Sequence, residues 1–138
     1  MNTDFFDAHN RHWKDAEQLF NAARWANADH LYGLAAECGL KRLMMIFGMN
    51  VDATTGSPTE RKDRAHANTA WMRYESYRSG HRQGAHYALS TEHPFANWDV
   101  SQRYANQSHF DQPRALAHRT GADSVSRLMN KATLDGLL

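Results

Sequence analysis

From Trp25 to Phe47 the chain runs without proline and with hardly a polar face. Ala28, Leu31, Ala35, Gly39 and Arg42 recur at three- and four-residue steps on one side, while Leu34, Cys38, Met45, Leu40, Leu43 and Phe47 fill the others. Such a helix is apolar nearly all round, which predicts a central helix covered by neighbours on several sides. Gly33, Ala35, Ala36, Cys38 and Gly39 are small, so a second helix is expected to approach closely there. Glu37 interrupts the run. It has two readings: an ion pair with Lys41 one turn later, or a buried polar residue that orients a site or a dimer contact.

The flanking patterns are those of a helical protein. Phe5, Phe6, His9, Trp13, Ala16, Phe20 and Ala23 recur at helical steps after Thr3 or Asp4, either of which can cap, and predict an amphipathic helix to about Arg24. The connection to the central helix is short enough to force an antiparallel pair. Gly48 to Gly56 has turn residues and no period, and reads as a mobile loop. Ser57-Pro58-Thr59-Glu60 has the form of a helix start: a capping serine, proline in the first turn and a glutamate three residues on. The helix it predicts carries Ala67, Ala70, Trp71, Tyr74 and Tyr77 on one face, Arg61, Arg64, Arg73 and Arg78 on the other, and stops near Gly80. His81 to Gln107 is irregular, with short helical pieces over Gly84–Ser90 and from an Asp99 cap through Arg103. A last helix opens at Asp111 or Gln112, tolerates Pro113 in its first turn, and continues through Ala115, Leu116, Ala122, Val125, Met129 and Ala132. No strand alternation is present. The prediction is one all-α domain over residues 1–138, an antiparallel bundle of four principal helices with short helical insertions.

Composition narrows the functional classes. A hydrophobic fraction of 41% and four tryptophans argue against disorder, and no apolar run reaches membrane-spanning length, so a soluble protein without a membrane partner is expected. The opening Met-Asn-Thr-Asp lacks a signal-peptide pattern, and the lone Cys38 suits a reducing cytoplasm. The formal net charge is +1, but it is unevenly spread: residues 1–60 carry 5 basic and 8 acidic side chains, residues 61–127 carry 10 and 6. Most of the excess is arginine, which suits bidentate phosphate contacts and favours an anionic ligand for the second half. On charge alone, solvated helix faces account for it equally well. Glycine-rich phosphate or dinucleotide turns and a Gly-x-Ser-x-Gly elbow are absent. The pairs His9/His12 and His81/His86 lack the spacing of paired ligands on one helix face, so no metal and no cofactor are expected.

Arg103 and His109 are separated by five residues, and His109 lies just before the last helix, where free backbone N–H groups favour a phosphate. An imidazole there can accept the proton of a ribose 2′-hydroxyl while the guanidinium holds charge developing on the phosphate, cleaving RNA without a metal. Arg61 and His66 have similar spacing, but they fall in the predicted helix opening, where solvation is the simpler account.

The run Asp15-Ala-Glu through Ala23, the Trp25-Ala-Asn-Ala-Asp-His-Leu-Tyr segment with its Ala-Glu37-Cys38-Gly-Leu40-Lys41 continuation, His66 before Trp71, and Trp98 before Arg103-Tyr104 together resemble the HEPN family (higher eukaryotes and prokaryotes nucleotide-binding domains) over nearly the whole chain. The resemblance implies a helical bundle of four or five helices that usually dimerises, in toxin–antitoxin, defence or RNA-processing systems. It implies a metal-independent endoribonuclease that uses arginine, four to six residues, then histidine, at the dimer interface near the start of the last major helix. Arg103 and His109 match that spacing, with Glu37, Tyr104 and Asn106 as supporting residues. Active members usually carry a small polar residue where this chain has Tyr104. Three readings follow: a dimeric HEPN ribonuclease, a non-catalytic HEPN module that binds nucleotide, RNA or a partner such as a nucleotidyltransferase or an antitoxin, and a purely structural helical dimer.

Overall fold

The computed structural model describes residues 1–90 and 92–138; residue 91, in the irregular stretch, lies outside them. Four principal helices make the molecule, and no strand is present among the described residues: α1 (Phe5–Asn21), α2 (Trp25–Ile46), α3 (Ala67–Ser79) and α4 (Gln112–Leu134). Short 3-10 turns stand at Arg61–Asp63, Gly84–Tyr87, Val100–Tyr104 and Gln107–His109.

Asp4 begins α1 by accepting from the N–H groups of Phe6 and Asp7, both at 3.0 Å. The helix buries His9 and Ala16 and leaves Phe6 outside. Ala22–Arg24 then reverse the chain. Ala23 takes a φ of +57° so that the Arg24 N–H can reach back to the Leu19 carbonyl at 2.8 Å, and α2 returns antiparallel to α1.

As its sequence predicts, α2 is the central helix. Twelve of its residues are buried, and it packs against α1, α3 and α4. Its glycines mark the closest approaches, though with different partners. A Cβ on Gly39 would sit 2.5 Å from Val125 of α4 and 2.8 Å from His9 of α1, so helices do crowd there. At Gly33 the neighbour is instead the Trp98 indole, 2.0 Å from where a Cβ would stand. The small-residue face is thus covered from within the chain. Cys38 is half-buried on α2, and burial, with Glu37 adding, pushes its thiol pKa up to about 12.

The expected helix start at Ser57-Pro58 does not form. Val51 pairs with Pro58 in a single antiparallel bridge, with Asp52 N–H donating to the Ser57 carbonyl at 2.8 Å and Thr59 N–H to Asn50 at 3.1 Å. Nor is the preceding loop loose, because Asp52 accepts from Thr54 N–H, Thr55 N–H and the Thr55 hydroxyl. The helix therefore waits until Ala67, and Arg61 and Arg64 lie ahead of it rather than on its face. Ala67, Ala70, Trp71 and Tyr74 are buried as their spacing predicts. Asp111 caps α4 through the Arg114 N–H, with Pro113 in the first turn, and Ala115, Ala122, Val125, Met129 and Ala132 face the core. Leu116, expected on that face, is exposed. No helix among the described residues is long and apolar enough to cross a membrane.

Candidate functional site

Arg103 stands in the Val100–Tyr104 turn, which is locked from both ends. Asp99 caps it, its carboxylate accepting from Ser101 N–H at 2.7 Å while the Gln102 side chain accepts from the Asp99 N–H at 3.3 Å. The Gln102 amide then reaches into the core and donates to Asp29 Oδ2 at 2.6 Å.

Asp29 has no exposed surface and is the hub of a polar network joining three parts of the chain. His118 of α4 donates from Nδ1 to Asp29 Oδ1, and its Nε2 lies 2.8 Å from the Asn97 amide oxygen. Arg114 brings its guanidinium to 3.6 Å from Asp29 Oδ2 and donates to the Asn97 carbonyl at 2.7 Å. The Trp98 indole N–H donates to the Asp29 carbonyl at 3.2 Å. A buried carboxylate is tolerable only with such partners. The consequence is positional: residues 97–102 are held against α2 and α4, and Arg103 follows directly.

Beyond this anchor the side chains turn outward. Arg103 is exposed and lies 4.8 Å over the ring of Tyr104, which is itself 79% exposed. His109 ends the Gln107–His109 turn and is exposed as well; Asn106 caps that turn by accepting from Ser108 N–H at 2.9 Å. Neither the Arg103 nor the His109 side chain has a hydrogen-bond partner among the described residues. Ala105, Gln107 and Phe110, from the segment carrying the pair, close a cavity of about 310 Å³ against Arg24, Trp25 and Asn27. The first turn of α2 borders that cavity without any side-chain cap, and Arg24, its N-cap residue, lines the cavity too.

Glu37 does not bond to this pair. It accepts from Lys41 Nζ at 2.8 Å and from His66 Nδ1 at 3.2 Å, so the pairing with Lys41 and the buried location expected of it as alternatives are both present. His30 lies within electrostatic reach of Arg103 and Glu37. It stacks on Trp98 at 5.6 Å, and its pKa is lowered by burial first and by Arg103 second, with Asp29 and Glu37 opposing. Among the described residues no three His, Cys, Asp or Glu side chains converge as a metal-holding group.

Sequence reasoning singled out Arg103, His109, Tyr104, Asn106 and Glu37, and missed Asp29, Asn97, Gln102, Arg114 and His118. One signal for His118 was available: with Ala115, Ala122 and Val125 it falls on the apolar stripe of α4, where an imidazole needs a partner. No family model matches the chain, and neither a curated protein nor a solved structure does.

Proposed function

We propose that this chain is an RNA-directed domain of HEPN type that works as a homodimer, with Arg103 and His109 as its reacting pair. The observation that carries the reading is the exposure of both side chains, without side-chain hydrogen bonds among the described residues, on the segment whose Ala105, Gln107 and Phe110 close the Arg24–Trp25 cavity, while the Asp29 network holds the base of that segment. An uncapped helix start and Arg24 at the cavity, with the Arg103 guanidinium exposed on the adjoining segment, suit a phosphodiester. In the reaction, His109 takes the proton of a ribose 2′-hydroxyl and the freed oxygen attacks the adjacent phosphorus. Arg103 stabilises the added negative charge, and the 5′-oxygen departs taking a proton from water while His109 returns its own to solvent, leaving a 2′,3′-cyclic phosphate. The dimer rests on the family resemblance, since the small-residue face of α2 is occupied by Trp98, Val125 and His9.

Tyr104 favours a second reading. An exposed phenol with a guanidinium laid over it is a stacking platform for a base, which serves a module that binds RNA or nucleotide, alone or beside a partner enzyme, without cutting it. Incubating the purified protein with structured and single-stranded RNA in the presence of a chelator separates the two. Cleavage to cyclic-phosphate ends supports the nuclease, whereas retention of intact RNA in a filter-binding assay supports the binding module. Neither cleavage nor retention would overturn both.

A further inference from the structure

A second cavity, of about 470 Å³, is framed by the N-terminal arm, α2 and the loop ahead of α3. Its rim is built rather than loose. Thr3 N–H donates to the Thr55 carbonyl at 2.7 Å, and the Thr3 and Ser57 hydroxyls stand 3.2 Å apart. Gly56 passes beneath the arm at a φ of +73°, where a Cβ would come within 2.4 Å of the Thr3 carbonyl oxygen. The Asp52 carboxylate is turned to its own loop, as described above.

Lys41 lines this cavity from the protein side. Its side chain is only 6% exposed, yet Glu37 is its single hydrogen-bond partner among the described residues. An ammonium has three donors, so this buried charge is incompletely satisfied by the protein itself. The other oxygen of Glu37 is engaged by His66 Nδ1 at 3.2 Å. Arg64 stands at the rim with Nε fixed on the Pro58 carbonyl at 3.0 Å, and its terminal nitrogens have no partner among the described residues. Phe5 completes the wall, with its ring centroid 5.7 Å from Lys41 Nζ. The side chains lining the cavity therefore include two cations, hydroxyl groups and an aromatic face, and no carboxylate.

We propose that this cavity binds a phosphomonoester. Its phosphoryl oxygens accept from Lys41 Nζ, the Arg64 terminal nitrogens and the Ser57 and Thr3 hydroxyls, and Phe5 packs against an attached planar group such as a nucleobase. The volume suits a small ligand and excludes a duplex. This site is separate from the Arg103–His109 pair and does not depend on it.

The test is calorimetric titration of the full chain, at fixed ionic strength, with inorganic phosphate, with adenosine 5′-monophosphate, and with acetate. Saturable one-to-one binding is expected for the nucleotide and, more weakly, for phosphate. Arg64→Gln should weaken both at least tenfold and Ser57→Ala several-fold, with unchanged unfolding temperatures, while Arg61→Gln should change nothing. Lys41→Met removes the deepest donor but also strips Glu37 of a partner, so Arg64→Gln carries the decision. Absence of saturable binding at millimolar phosphate and nucleotide, wild-type affinity in Arg64→Gln, or acetate binding as tightly as phosphate would each overturn the proposal. So would loss of binding in Arg103→Ala, which would place the phosphate in the other cavity; retained binding in that variant supports the site proposed.

Discussion

Asp29 of α2 and His118 of α4, 89 positions apart in the chain, are hydrogen-bonded to each other inside the core. Because Gln102, Arg114 and the Trp98 indole meet the same aspartate, this one contact ties two helices to the loop that presents Arg103. Asp29→Ala would leave His118 and Gln102 without an acceptor and Arg114 beside an emptied site, at a cost of about 3–5 kcal/mol. Urea unfolding measures it. A loss below about 1 kcal/mol, the range of ordinary surface changes, would contradict the role assigned to the network.

Gly33 tests the same anchor by packing rather than by charge. In Gly33→Ala the added methyl group overlaps the Trp98 indole, and the ring has no flexible end to swing away. Overpacking of this kind costs about 1–3 kcal/mol or more. Since the displaced indole also surrenders its bond to the Asp29 carbonyl, the variant should show an altered tryptophan emission spectrum together with lowered stability. Gly48→Ala, at a position with open space around it, should leave the emission unchanged, though its positive φ still imposes some backbone strain.

His9 makes stability depend on pH. Burial holds its imidazole below the ordinary value of 6.5, while the bond to the Ala35 carbonyl opposes more weakly. Nδ1 donates to that carbonyl at 2.8 Å and Nε2 lies 3.1 Å from the Ser126 hydroxyl, an arrangement suited to the neutral ring. A depressed native pKa means that the unfolded chain takes up the proton first on acidification. The contribution is therefore complete above about pH 6.5 and is lost as the pH falls through the native value. His12 and His30 shift in the same direction but are only half-buried, so solvent screens their share. Denaturation midpoints should fall between about pH 6.5 and 5, above the range where carboxylates titrate, and the fall should be shallower in His9→Gln.

Arg103→Ala and His109→Ala are each expected to reduce chelator-resistant RNA cleavage by about 10²-fold or more, measured as single-turnover rates on a labelled RNA. Both side chains are exposed, so unfolding temperatures should not move. His66→Ala should leave the rate nearly unchanged while costing some stability through its bond to Glu37. Full activity in both the Arg103 and the His109 variant would eliminate the nuclease reading.

Much of the architecture was legible because local rules and tertiary packing agreed. The all-round apolar character of residues 25–47 identified the central helix, and Asp4, Asp99 and Asp111 each cap where a capping residue was expected. Ser57-Pro58-Thr59-Glu60 shows the same rules defeated. The Ser57 hydroxyl meets Thr3, and Glu60 pairs with Lys62 at 3.2 Å, so neither serves a helix. The competing bridge to Val51 is a contact with the preceding loop, and a motif read by itself does not register it. The candidate site divides in the same way. Arg103 and His109 lie close in sequence and could be paired by spacing. Asp29 and His118 come together only through the packing of α2 on α4, which no local pattern encodes. Gly33 likewise signalled a close neighbour without saying that it would be a loop tryptophan rather than a helix.

Cys38 has a practical consequence. With burial pushing its pKa up to about 12, the thiol is held in its un-ionised form at neutral pH, so a maleimide or a disulfide reagent meets a poor nucleophile in the closed protein. Modification must then wait for a fluctuation that hydrates the middle of α2. The rate of thiol labelling, followed against reagent concentration, becomes a clock for how often the heart of the bundle breathes. Nature has supplied the reporter at the one helix that every other helix leans on.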